Sequence, residues 1–370
     1  MDKRWLRERA YPMLKGAAEF YRNFPNVRKG PDGKYHIHHV NDHEPIKGAQ
    51  DTMSEVAAMH GVFPVAIRAA EILGVDAELR EVWREFLENL VPIPTNDDPD
   101  TLNPRRPGMP RMWANGRAPV VTGRPWRSAH CLVPAIHYDL CTLESDPELR
   151  AVGNATFDWV FGGEVTERTP VSILSRAPIA AAMLGRAEAV RYLVPNQMRL
   201  RSRRGRGVLP NRLSLAEGTQ AIAAEHLGRA SETLQLALLQ SVPAGPGKDP
   251  VIRVFPAWPK QWDAEYTLLA RGAFLVTSSM RDGKIEFVEL ISEVGGECRL
   301  RNPWGGARVT LYRNGVRDVD MGGPLLRFNT SRGEVIVVVR AGDSPARYRR
   351  TVPGEAERNS AGAASDTRSK

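Results

Sequence analysis

Val242-Pro-Ala-Gly-Pro-Gly-Lys-Asp-Pro250 is the point at which this sequence changes its period. Proline and glycine at this density interrupt helices and strands alike, so the segment reads as a linker. Before it, apolar residues recur three and four apart, as in Trp5, Leu6, Met13, Leu14, Ala17, Phe20 and Tyr21, the spacing of one helix face. Helices are expected at about 4–23, 50–73, 76–90, 126–143, 147–160, 170–184, 186–195, 214–226 and 228–241. The short connections between them imply antiparallel helical hairpins. After the linker the helical period disappears. Val251–Phe255, Thr267–Ser278, Lys284–Leu290, Gly296–Arg301, Ala307–Arg313, Leu325–Asn329 and Glu334–Arg340 read as short strands. Turns such as Arg281-Asp-Gly283 and Arg313-Asn-Gly315 separate them. The expected fold is α + β and multidomain: a helical region over 1–241, the linker over 242–250 and a small antiparallel β-sandwich over 251–350. Residues 351–370, rich in Gly, Ala, Ser and charge, are expected to be disordered.

The chain has 370 residues, 42% hydrophobic, with a mean hydropathy of −0.36, the composition of an ordinary globular protein with room for a sizeable core. No apolar run reads as a membrane span, and the charged start Met1-Asp-Lys-Arg-Trp-Leu-Arg-Glu-Arg lacks a signal peptide's apolar stretch. As written, the sequence reads as cytoplasmic, an expectation that lapses if the true start lies upstream. Cys131, Cys141 and Cys298 make no disulfide framework and read as small buried hydrophobes. Cys131 and Cys141 are ten apart on one expected helix, too far along its axis to bridge. The net charge of +8 raises the question of nucleic acid or an anionic surface. Arginine is spread along the whole chain, however. The one dense run, Arg199-Leu-Arg-Ser-Arg-Arg-Gly-Arg206, has no zinc knuckle, RRM or helix-turn-helix pattern beside it. It reads as a solvated loop, so neither nucleic acid nor membrane is an expected partner.

His39-Val-Asn-Asp-His-Glu44 precedes the apolar helix at 50–73 and crowds titratable groups into a short turn. Such groups perturb each other's pKa, and loops held by rigid helices are common places for catalytic groups. Asp42 would raise the pKa of Glu44, and His39 or His43 when charged would lower it. His36, His38, His39 and His43 also admit a zinc reading, since His-x-His on a strand puts both rings on one face. That spacing is too loose to be a signature, and no metal or other cofactor is expected. Residues 91–125 form a long irregular connection, of the kind that is functional or covers something. Around it, Trp113 and Trp126 are candidates for stacking on a sugar ring or for anchoring the loop, and Arg124, Arg127 and His130 could line a cleft. Trp258 and Trp262 follow the linker and read as glue between the two regions.

Four blocks carry a family resemblance. They are Ala10-Tyr-Pro-Met-Leu-Lys-Gly-Ala-Ala-Glu-Phe-Tyr21, and Ile67-Arg-Ala-Ala-Glu-Ile-Leu-Gly-Val-Asp-Ala-Glu78. The third is Leu236-Ala-Leu-Leu-Gln-Ser241 with Val251-Ile-Arg-Val-Phe-Pro-Ala-Trp-Pro259. The fourth is Ala270-Arg-Gly-Ala-Phe-Leu-Val276 with Asp282-Gly-Lys284 and Gly296-Glu-Cys-Arg-Leu-Arg301. Their order and spacing resemble glycoside hydrolase family 95. That family holds inverting α-L-fucosidases and related α-L-galactosidases, with an (α/α)6 barrel between an N-terminal β-sandwich and a C-terminal β domain.

The resemblance implies that the chain begins inside such a barrel. About twelve helices make a full barrel; the expected helices here are fewer, so the region is a partial (α/α)6 barrel acting on an oligosaccharide or glycan. A full-length relative could be secreted or periplasmic. The family's acid is a glutamate in a Pro-Glu-Asn turn before a Thr-Met helix. Here Asp42-His-Glu44-Pro stands before Asp51-Thr-Met53, which puts Glu44 at the acid position. Its alternative is a helix-capping or surface carboxylate. The family's base precedes Leu-Leu-Gln-Ser, which points to Glu225, or else to Glu217. The family's Asp-Gly-Asn-Phe-Gly is not present there, and the alternative for Glu225 is a helix-surface glutamate. His39, Asn41, His43, Trp126 and His226 are the implied substrate contacts. The two asparagines that orient the family's water fall in the part of the barrel upstream of this chain.

Overall fold

The computed structural model describes residues 2–42, 46–123, 127, 129–172, 175–199 and 225–348. Helix α1 (Lys3–Trp5) is capped by the Asp2 carboxylate on the amides of Arg4 and Trp5, and runs through a π-type stretch (Leu6–Ala10) into α2 (Tyr11–Asn23). Two short antiparallel ladders follow: β1 (Val27–Lys29) with β2 (Tyr35–Ile37), and β3 (Val40–Asp42) with β4 (Ile46–Ala49). Then come α3 (Met53–Leu73) and α4 (Ala77–Glu88). The turn between them needs Gly74 at φ +68°, whose N–H closes the end of α3 on the carbonyls of Ala70 and Glu71. Asp76 joins the turn to α2 by accepting from the Tyr11 hydroxyl (2.5 Å) and pairing with Lys15 (2.9 Å).

Helix α3 is apolar on nearly every side because it is covered on nearly every side. Val56, Met59, Phe63 and Ala66 pack with Tyr11, Ala18, Trp83 and Phe86 of α2 and α4. Met53 and Ala57 enter a second core with Trp113, Leu132, Phe157 and Leu193. Among the described helices α3 is long and apolar enough to cross a membrane, a composition the sequence reading passed over; its burial within the helical layer accounts for that composition. The second core is built by α5 (Val133–Ile136), α6 (Pro147–Phe161), α7 (Ala177–Met183), α8 (Ala187–Arg199) and α9 (Glu225–Leu238).

Two sheets follow. One has four strands in the order β13-β10-β6-β5 and the other six in the order β12-β11-β14-β9-β8-β7. The strands are β5 (Leu239–Val242), β6 (Val251–Val254), β7 (Ala264–Ala270), β8 (Phe274–Arg281), β9 (Lys284–Ser292), β10 (Gly296–Arg301), β11 (Val309–Arg313), β12 (Val316–Met321), β13 (Leu325–Thr330) and β14 (Glu334–Arg340). Both sheets feed one hydrophobic core: Ile252, Leu300 and Leu326 from the first meet Val276, Leu290, Leu311 and Ile336 from the second. The pairings are antiparallel except β6 with β10, which is parallel.

Several expected elements change. The helix over 126–143 is a 3-10 turn (Ala129–Leu132) and the single turn α5, with Pro134 inside, so Cys131 and Cys141 share no helix; all three cysteines are nonetheless buried and free. The last helix stops at Leu238, and Leu239–Val242 is strand, because Gln240 and Ser241 pair with Arg253 and Ile252 across the linker. Thr267–Ser278 is not one strand but the β7–β8 hairpin, turning at 271–273. Strand β12 was not expected: it is an edge strand with four outward-exposed residues at its start, so no apolar alternation marks it. The expected helix at 214–226 lies outside the described residues except for its last two, which open α9. The Arg199–Arg206 run lies outside them beyond Arg199, as does the tail.

The helical region and the sheets meet through a buried carboxylate. Glu144, whose side chain is 5% exposed, pairs with Arg253 of β6 (2.5 Å) and with Arg301 of β10. Thr142 and Ser145 donate to the carbonyls of Pro243 and Ala244, and Gln240 to that of Ala182. Trp258 packs against both cores and donates its indole N–H to Trp262, as expected of a joining residue. Removing one partner of a buried ion pair leaves the other uncompensated. Glu144→Ala should therefore lower unfolding stability by about 3 kcal/mol in urea titrations; a loss under about 1 kcal/mol would make the pair an exposed one in energetic terms.

Candidate active site

Strand β3 of the β3–β4 hairpin takes in Val40–Asp42 of the stretch singled out in the sequence. Its period of two turns Asn41 outward and Asp42 inward. Asn41 is exposed and its side-chain oxygen accepts from the Gly48 N–H at 3.2 Å, which closes the hairpin. Asp42 is 1% exposed. Its two oxygens accept from Ser54 Oγ at 3.1 Å and Asn115 Nδ2 at 3.0 Å. His39, just before the hairpin, is exposed and lies at φ +55°, in the left-handed region that few non-glycine residues enter.

The hairpin does not stand alone. The long connection over 91–125 lies against it: Lys47 pairs with Thr122, Gln50 with Arg117, and the Met53 N–H donates to the Asn115 carbonyl. The loop thus covers the base of the hairpin. It also carries Trp113, which is 1% exposed and packed in the helical core, so of its two expected roles the anchor is the observed one. Arg127 reaches over the Trp159 ring, 5.9 Å from its centroid.

A second buried carboxylate, Asp51, organises the same region. One oxygen accepts from the Ile37 N–H at 2.9 Å; the other lies 2.6 Å from His36 Nδ1. His36 Nε2 faces Asp32 at 3.1–3.2 Å. Arg117 stands 3.9 Å from Asp51 and pairs with Asp98 and Asp100 at 3.1 and 3.4 Å. Both His36 nitrogens are engaged by carboxylates, which removes the residue from the zinc reading. Among the described residues no group of three or more His, Cys, Asp or Glu could hold a metal ion. Burial alone would push the His36 imidazole down, but its hydrogen bonds and charge attraction to Asp51 and Asp32 outweigh that and raise it above its ordinary value. At His38 and His60 burial is the larger effect: it pushes both down, against the attraction of Asp51 on His38 and the hydrogen bond of His60 to the Val91 carbonyl.

Of the residues expected at the site, Glu44, His43 and Trp126 lie outside the described residues, as do Glu217 and Arg124. Glu225 and His226 open helix α9, whose following turns pack into the helical core through Ala230, Leu234 and Ala237. The sequence reading missed the Asp32–His36–Asp51 chain and the Asn115 contact, because each joins residues from different segments. The visible signal was Asp51 before Thr-Met, a carboxylate beside an apolar helix start.

With this geometry in place, comparison with known proteins adds a family. Residues 1–101 match the glycosyl hydrolase family 95 catalytic domain. The N-terminal region is family-95-like. The matched segment contains the hairpin, Asp42, Asp51 and the first two of the four blocks; the other two lie outside it. No curated protein sequence matches the chain. Among solved structures, a protein described as a kojibiose phosphorylase from the human microbiome is 10% identical with a TM-score of 0.41, and the match covers 89% of this chain and 42% of that one. A GH127 β-L-arabinofuranosidase from Geobacillus stearothermophilus T6 is 9% identical with a TM-score of 0.25, covering 77% of this chain and 42% of that one. A third, described as a glycoside hydrolase, is 9% identical with a TM-score of 0.28, covering 90% of this chain and 55% of that one. The chain spans about half the length of the solved structures it matches.

The raised His36 value has a pH consequence. A histidine whose folded pKa exceeds its unfolded value of about 6.5 adds stability that is complete below that value and lost as pH rises through the folded pKa. The stability difference between wild type and His36→Gln should therefore be larger at about pH 5.5 than at about pH 8.5. Thermal melts of both proteins across that range check it; a difference that grows with pH contradicts the assignment.

Proposed function

We propose that this chain carries part of the catalytic barrel of an inverting glycoside hydrolase acting on α-L-fucosides or related glycans. In this reading the helical hairpins are part of an (α/α)6 barrel and the two sheets are a β-sandwich beside it. The observation that carries the proposal is the match of residues 1–101 to the family 95 catalytic domain, whose span includes Glu44 at the acid position. The braced base of the hairpin supports it, since a proton donor needs a fixed position.

Glu44 gives its proton to the glycosidic oxygen as the bond from that oxygen to the anomeric carbon breaks. Water adds to the opposite face of the sugar, and Glu225 takes the proton that the water loses. The inverting geometry needs the two carboxyl groups about 6.5–9.5 Å apart, so that the water fits between sugar and base. Glu217 is the alternative base. His39, Asn41, His43, Trp126 and His226 contact the sugar. Asp42, two residues before Glu44 in the sequence, is a buried carboxylate, and a carboxylate charge favours the protonated form of a neighbouring acid.

A second reading is favoured by two observations. The sequence at 224–228 is Ala-Glu-His-Leu-Gly rather than the family's Asp-Gly-Asn-Phe-Gly, and the Asn41 side-chain oxygen is engaged by its own hairpin. Both fit a carbohydrate-binding relative with an incomplete catalytic site.

Hydrolysis of aryl α-L-fucosides and α-L-galactosides separates the two. An active protein releases the inverted anomer first, visible by proton NMR. Glu44→Gln should cost about 10²–10⁴-fold on substrates with poor leaving groups and less on activated aryl glycosides. An equal loss on both kinds of substrate would remove Glu44 from the acid role, and a retained anomer would remove the inverting mechanism.

A further inference from the structure

The six-stranded sheet has an outer face that the barrel chemistry does not use. Strand alternation sends Val276, Val288, Leu290, Ile336 and Val338 inward to the β core and turns the residues between them outward. Register then aligns the outward residues across four strands: Thr277 opposite Glu289, Glu289 opposite Val337, and Val337 opposite Tyr312. The turn Pro345–Tyr348 packs over β9 and β14 and roofs this row. Between roof and row is a half-open cleft of about 380 Å³, within the size range of small-molecule sites.

The lining combines aromatic rings, a hydroxyl and carboxylates. Phe287 and Tyr348 present near-parallel rings, with centroids 6.0 Å apart and planes 26° apart. Tyr312 and Tyr348 are held in place through Asp343, one on its carbonyl and one on its carboxylate. Thr277 offers a hydroxyl, bonded at 2.9 Å to Thr267 on the next strand. Glu289 is half-buried and has no hydrogen-bond or ion-pair partner among the described residues. Among the described residues no lysine or arginine lines the cleft, and Glu265 adds a second carboxylate, paired with Arg281 at 3.4 Å.

We propose that this cleft is a binding site for a neutral saccharide, separate from the hairpin of the barrel region. A pyranose has an apolar C–H face, which suits an aromatic wall, and a rim of hydroxyl donors, which suits a carboxylate that only accepts. An unpartnered glutamate can receive two hydroxyls at once, and charge-assisted bonds of this type are the stronger ones. The acidic lining disfavours phosphates and nucleic acids. The site stands on the sheet's register and roof, whatever the barrel region does.

The test uses the full chain and a panel of neutral methyl glycosides, including α-L-fucoside, β-D-galactoside and β-D-glucoside, read by ligand-observed NMR and calorimetry. At least one should bind, and Glu289→Gln and Thr277→Val should each weaken it about tenfold with the melting temperature unchanged. Weakening by these cleft substitutions, which lie on β8 and β9, separates the binding from the barrel site. No binding across the panel overturns the proposal, and so does binding indifferent to both cleft substitutions. Tetramethylammonium binding in place of every sugar would make the cleft a cation site and overturn it. Sugar binding that emerges only when residues 349–370 are removed would make that segment the occupant, and also overturns it.

Discussion

Two carboxylates with almost no exposure, Asp42 and Asp51, hold the N-terminal region together. A buried carboxylate is tolerated only when its oxygens are hydrogen-bonded, so each one dictates where its donors must be. Asp51 draws the Ile37 amide and the His36 ring to itself and leaves Arg117 at its edge. Asp42 draws in Ser54 from the start of α3 and Asn115 from the long loop. Strand β2, the start of α3 and the long loop are thereby fixed around one short hairpin. Left without those donors, either carboxylate would cost several kcal/mol to bury, which makes the arrangement close to all-or-none.

The rest of the molecule serves as a frame for this cluster. Helix α3 is the shared wall of two helical cores, and its first residue takes a hydrogen bond partner from the same loop that carries Asn115. The sheets are tied on by Glu144 between two arginines and by Trp258. The carboxylate and indole play different parts there: burial of the ring supplies area, while the ion pair selects one orientation.

The sequence was most readable where periodicity is strong and local. The helices at 147–161 and 77–88, and the type of turn at Asp282-Gly283 and Asn314-Gly315, follow from spacing and from the positive φ those residues accept. It was least readable where tertiary pairing overrides pattern. Leu239–Val242 continues a helical rhythm yet pairs as a strand, and β12 shows no apolar alternation because its first four residues are all exposed. The site was half legible. The crowding of charge at His39–Glu44 marked the hairpin, but the residues that brace it lie 12 to 73 positions away from Asp42, a separation no local pattern encodes. His36 invited a zinc reading for the same reason: its two carboxylate partners are set by the fold rather than by the His-x-His spacing.

The central claim is that the hairpin presents Glu44 across one sugar from Glu225. A crystal structure of the protein soaked with a fucose-derived iminosugar measures this directly. The account predicts the two carboxyl groups about 6.5–9.5 Å apart on opposite sides of the bound ring. Carboxylates on different faces of the helical region, or an inhibitor bound with Glu44 out of reach of it, would contradict the account.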